Sequence, residues 1–163
     1  MIGLSLPYKW LLGDGSMMSP DELLPLIREH GARSVEIRAV PASADADEVM
    51  RSAIPLLAHD FNITVHASVT SAENAVEQVL RPLEGLIENM KQRELVVTIH
   101  PIGGDNLQML LNLSDYIIEK GLPVRIALEN ERKMPDKTDG DSLSLALDAV
   151  VRADRENVGP LQT

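Results

Sequence analysis

A chain of 163 residues with net charge −10, from 25 acidic and 15 basic side chains, is poorly suited to gripping nucleic acid, where each neutralised phosphate needs a lysine or arginine. Aromatic residues make up 2%, so base-stacking platforms are scarce, and with no cysteine both disulfides and thiolate metal sites are excluded, which suits a cytoplasmic chain. The 44% hydrophobic and 25% charged composition is globular, the length fits one domain over 1–163, and no apolar run nears the ~18 residues of a membrane span.

Residues 2–6 form a short apolar run before Pro7 and read as a first strand, with Tyr8, Lys9 and Trp10 in the loop after it. The opening MIGLSLPYKW lacks the basic start and apolar block of a secretory signal. Ser19-Pro20-Asp21-Glu22 is a helix start, with Ser as N-cap, Pro at the first helical position and Glu placed to complete a capping box. That helix closes at His30-Gly31, where Gly31 can adopt the left-handed conformation. A second strand spans 34–40, and a helix over about 44–60 follows with Pro55 inside it. The third strand is 63–69. Over 71–93 the spacing of Val76, Val79, Leu80, Leu83, Leu86, Ile87 and Met90 predicts a third helix, interrupted by Pro82. The fourth strand, 95–102, stops at Gly103-Gly104, and a fourth helix over 107–120 ends at Gly121 and Pro123. The fifth strand, 124–130, leads into a polar loop at 131–140, after which Asp141 or Ser142 can cap a fifth helix to about residue 155.

Strand starts near 2, 35, 63, 95 and 124 lie 33, 28, 32 and 29 residues apart, the alternation of consecutive βα units and a parallel sheet. Parity divides each strand. Val35, Ile37, Ile63, Val65, Val97, Ile99, Ile126 and Leu128 form one apolar set, while Glu36, Arg38, His66, Ser68, Thr98, His100, Arg125 and Glu129 form a polar one. A doubly wound sheet buries both faces and would read as continuous apolar runs, with a glycine-rich phosphate loop after the first strand where it binds nucleotides. The polar second face fits the inside of a TIM-type (β/α) barrel better. A complete barrel needs eight units and about 250 residues, so an incomplete barrel of about five units is the expectation.

Three strands end on metal-competent side chains: ITVH on His66, LVVTIH on His100 and IALE on Glu129. Parallel strands bring such residues to one rim, where α/β enzymes keep their sites. Glu36 is a fourth candidate, either orienting the site or pairing with Arg38. Trp10 offers an apolar platform for a sugar ring or packs at the sheet's mouth, and Lys9 and Arg132 lie in loops at the same rim. His30 and His59 sit on or at the ends of helices and are poor catalytic candidates. The alternative for His66 and His100 is an ordinary pair of hydrogen-bonded histidines within a sheet.

GARSVEIR, ITVHAS, VVTIHP and IALENE, in this order and at these intervals, resemble the first five units of the xylose-isomerase-like TIM barrel group, which includes sugar phosphate isomerases, epimerases and related apurinic endonucleases. The resemblance implies that Glu129 is a metal ligand, and that His66 and His100 bind metal, as in the endonuclease branch, or line the substrate pocket, as in the sugar branch. It implies a sugar or sugar phosphate as substrate. Further ligands on strands six, seven and eight of that group have no counterpart here; Asn157-Val158-Gly159 looks like the approach to strand six, so a partial chain is expected. Two imidazoles and a carboxylate with open positions suit a divalent ion, Mn²⁺, Zn²⁺, Mg²⁺ or Fe²⁺. Two other readings compete: an endonuclease-like enzyme acting on abasic DNA, and a non-catalytic module whose unpaired sheet edge assembles it into a homodimer.

Overall fold

The computed structural model describes residues 2–14, 18–129 and 142–160. Six parallel strands form one sheet in the order β1-β2-β3-β4-β5-β6: Ile2–Pro7, Ala32–Val40, Asn62–Ala67, Leu95–Ile99, Val124–Leu128 and Val158–Pro160. The sixth, short strand pairs Ile126 with Val158 and Leu128 with Pro160, which adds a strand to the five units read from periodicity. The predicted loop after the first strand is instead a single helical turn, α1 (Tyr8–Leu11), because Tyr8 and Leu11 both reach the core. Helices α2 (Pro20–Glu29), α3 (Ala46–Ala58), α4 (Glu84–Asn89), α5 (Asn106–Lys120) and α6 (Ser142–Ala153) make the crossovers.

The strand order never reverses, and the helices contact one another in chain order, α2 with α3, α3 with α4 and α5 with α6. Right-handed crossovers then put every helix on the same face of the sheet. The buried residues agree: Val35, Ile37, Ile63, Val65, Leu95, Val97, Ile99 and Ile126 have no exposed surface, whereas Ser5, Arg38 and Arg125 on the other set of positions are exposed. A second helix layer is thus missing from the polar face among the described residues. A fully buried Val, Leu or Ile is worth about 1.5–3 kcal/mol, so this one apolar interface carries most of the stability.

Local chemistry explains the element ends. Glu22 Oε2 accepts hydrogen bonds from the Ser19 amide at 2.9 Å and the Ser19 hydroxyl at 3.0 Å, the carboxylate half of the expected capping box. Those bonds, the amide's foremost, hold the Glu22 carboxyl below its usual range. Gly31, at φ 93°, and Gly121, at φ 62°, turn the chain at the ends of α2 and α5. The predicted third helix is broken into a π turn at Val76–Leu80, a 3-10 turn at Arg81–Leu83 and α4. Pro82 has no amide to donate, and the ladder shifts register around it.

Two polar contacts hold layers together that periodicity does not reveal. The Gln92 side chain acts as a strand residue: its Oε1 accepts from the Ile63 amide and its Nε2 donates to the Ile63 carbonyl, each at 2.6 Å. This satisfies β3 one residue before its ladder with β4 begins at Thr64. The buried Tyr8 phenol donates to Glu48 Oε2 at 3.3 Å, tying α1 to α3, and burial followed by the charge of Glu48 pushes its pKa up. The predicted loop 131–140 with Arg132, the residue Asn130 at the end of the predicted fifth strand and the cap at Asp141 lie outside the described residues.

Candidate functional site at the carboxyl ends of the strands

Register places the polar residues in rows across the uncovered face. Ser5, Glu36, Thr64, Val96 and Arg125 are successive partners in one row, and His66, Thr98, Ala127 and Gly159 follow in the next. Ala67, Ile99 and Leu128 are partners, so His100 and Glu129, each one residue beyond its strand, stand side by side past the second row. The Glu129 amide donates to the Ile99 carbonyl at 2.9 Å, which carries the β4–β5 ladder one step further and fixes where its side chain leaves the backbone.

The side chains of His66, His100 and Glu129 meet. His66 Nε2 lies 3.0 Å from His100 Nε2 and 3.2 Å from Glu129 Oε2, and His100 Nδ1 lies 3.6 Å from the same oxygen. The two imidazole rings have centroids 4.6 Å apart and are tilted by 43°. Donor atoms bound at ~2.0–2.1 Å around a tetrahedral ion sit roughly 3.4 Å apart; with one donor atom from each residue, those of His66, His100 and Glu129 lie within 4.8 Å of one another. Among the described residues this is the group of three His, Asp or Glu side chains with donor atoms close enough to share an ion. The side chains remain reachable, 16% exposed for His66, 32% for Glu129 and 49% for His100.

One atom in the group is out of balance. Glu129 Oε2 is buried and accepts no hydrogen bond among the described residues. Buried carboxylate oxygens are normally satisfied, because leaving one bare forfeits its hydration with no return. Two nitrogens 3.0 Å apart likewise need a proton or a cation between them. A divalent ion supplies a partner to all three atoms at once, so the donor set fits one.

The other expected site residues lie elsewhere. Glu36 does not pair with Arg38; its Oε1 accepts from Ser5 Oγ at 2.7 Å, within the row nearer the strands' amino ends. Arg38 keeps its register with Pro7 of β1 and so shares the parity of Glu36, but the Glu36 carboxylate is taken by the Ser5 hydroxyl instead. Trp10 is half-buried, packs on the core and donates its Nε1 hydrogen to the Met18 carbonyl at 3.2 Å. Neither residue belongs to the three-residue group. Thr98, 3% exposed and directly between His66 and Ala127 in its row, is a floor residue of the site whose only signal in the sequence was its parity. A hollow of about 650 Å³ lies at the opposite end of the sheet, lined among others by Leu122, Val124, Arg125, Asp154 and Arg155; Arg125 is already held there by Glu94 and Arg155 by Asp115.

No protein-family model matches the chain, and comparison with curated proteins finds no match. No helix among the described residues is long and apolar enough to cross a membrane.

Proposed function

We propose that this chain is a metal-dependent isomerase or epimerase of small hydroxylated carbonyl compounds, sugars or sugar phosphates, whose sheet is part of a TIM-type barrel related to the xylose-isomerase-like group. The observation that carries the reading is the buried, unpartnered Glu129 Oε2 facing two imidazole nitrogens at the carboxyl ends of parallel strands. The unreversed strand order with helices on one face supports the barrel, since closing such a sheet on itself encloses the polar rows. His66, His100 and Glu129 would hold the ion, which when bound supplies Lewis-acid polarisation of a carbonyl or alkoxide oxygen. The imidazoles orient hydroxyl groups of the substrate, and the Glu129 carboxylate takes up and returns the proton on the carbon beside the carbonyl.

The test has two parts. Mn²⁺ titration followed by electron paramagnetic resonance is expected to show one bound ion per chain, lost in the His66→Ala/His100→Ala double variant. In deuterated water, aldoses and ketoses are expected to exchange the hydrogen beside the carbonyl only with metal and wild-type Glu129. Equal Mn²⁺ binding by wild type and double variant would remove the basis for this reading. A DNA-repair activity of the endonuclease branch is favoured by the presence of both histidines in the group and opposed by the charge of −10. Retardation of abasic duplex over undamaged duplex at low salt would select it.

A further inference from the structure

We propose that Arg38 recognises an anionic group, phosphate or carboxylate, on the substrate of the His66–His100–Glu129 site. This inference rests on the functional reading above for its substrate, and on separate observations for its residue.

Val35, Ile37 and Val40 are all buried on the helix side of β2. Simple alternation would send residue 39, not residue 40, to that side. The register shows how the strand manages it. Ile37 pairs with Val65 and Val40 pairs with Ala67, so two residues of β2, Arg38 and Ala39, stand against the single residue His66 of β3. Ala39 adopts φ 61°, a left-handed conformation that a residue with a Cβ visits reluctantly. Both Arg38 and Ala39 are exposed. A bulge and a strained backbone therefore coincide beside one member of the three-residue group, immediately after Arg38, where the strand leaves the sheet.

Arg38 itself, on the polar face by regular alternation, is a fixed positive charge without a local partner. Among the described residues no carboxylate lies within ion-pairing distance of the Arg38 guanidinium, and its nearest acidic neighbour along the strand, Glu36, is engaged by Ser5. Arg125, the other arginine on this face, is held at 3.0 Å by Glu94. A planar guanidinium with five donors matches the oxygens of a phosphate or carboxylate in paired hydrogen bonds. Its backbone stands one strand spacing, about 4.8 Å, from that of His66. An arginine side chain spans that separation, so it can meet the far end of a substrate of a few carbons whose carbonyl end lies at the imidazoles.

The experiment measures the affinities of dihydroxyacetone phosphate, glycerate and neutral dihydroxyacetone for the Mn²⁺-loaded wild type, Arg38→Ala and Arg38→Lys, by calorimetry. The wild type is expected to bind at least one anion tenfold or more tighter than dihydroxyacetone. Arg38→Ala should reduce that preference to within twofold while leaving Mn²⁺ and dihydroxyacetone affinities unchanged, and Arg38→Lys, which keeps the charge and loses the fork, should retain part of it. Preference for the phosphate or for the carboxylate names the anion. A wild type without preference, or an Arg38→Ala variant that keeps it, overturns the proposal. If Mn²⁺ does not bind at all, the metal reading falls, and the same comparison on metal-free protein still decides the role of Arg38.

Discussion

Replacing Glu129 by Gln should act on stability with opposite signs in the absence and presence of metal. Without an ion, the wild type holds a buried carboxylate oxygen that no hydrogen bond satisfies. A buried unsatisfied polar atom costs about 1–3 kcal/mol, and the value for this partly exposed side chain belongs at the lower end, about 1 kcal/mol. The Gln amide is uncharged and its N–H can donate to His66 Nε2, 3.2 Å from the present oxygen, a bond the carboxylate cannot make. For a domain of this size, 1 kcal/mol corresponds to roughly 2–4 °C in Tm. Glu129→Gln in a chelating buffer is therefore expected to melt about 2–4 °C above the wild type. With Mn²⁺ at a hundred times its dissociation constant, linkage stabilises the wild type by about 2.7 kcal/mol, or roughly 5–11 °C, and the variant gains little. The order of melting temperatures then inverts. Differential scanning calorimetry with and without metal reads both arms. A variant that is less stable than wild type in chelator, combined with no metal-induced shift in either protein, would show that Glu129 is an ordinary structural carboxylate and refute the reasoning.

Gln92→Ala strands the amide and carbonyl of Ile63 that the side chain now pairs at 2.6 Å, and should cost about 2 kcal/mol in urea-unfolding free energy, more than a typical exposed substitution. Ser114→Ala removes the hydroxyl that donates to Asn157 Oδ1 at 2.9 Å; Asn157 Nδ2 already has no partner among the described residues, so a loss of about 1–2 kcal/mol is expected in the same assay. Because the Glu22 carboxyl is held below its usual range, its contribution is fully present above about pH 4.3 and disappears as the pH falls through the lower folded-state value. Thermal melts should accordingly show Glu22→Gln less stable than wild type at pH 7, with the difference closing as the pH falls below the usual carboxylate range.

Most of the architecture was legible because it is written in short-range signals. Strand positions followed from β-branched runs, helix starts and stops from Ser19-Pro20, Gly31 and Gly121, and the parallel sheet from the regular spacing of the units. Parity alone separated the face that packs beneath helices from the face that carries His66, Thr98 and Glu129. Where a local rule met a competing demand, the reading missed. Tyr8 and Leu11 drew a presumed loop into a helical turn because the core had room for them, and Pro82 broke a helix whose apolar period ran on unchanged through it.

The sequence by itself determined which side chains could do chemistry and which edge of the sheet would carry them, since residue type and a period of two are local properties of the chain. Only the tertiary structure decided that His66 reaches across β4 to within 3.2 Å of Glu129, that Glu36 turns to Ser5, and that two residues of β2, Arg38 and Ala39, stand against His66 alone. Those outcomes depend on register between strands far apart in the chain. Inter-strand pairing and the filling of a common core set that register, and no window of neighbouring residues contains it.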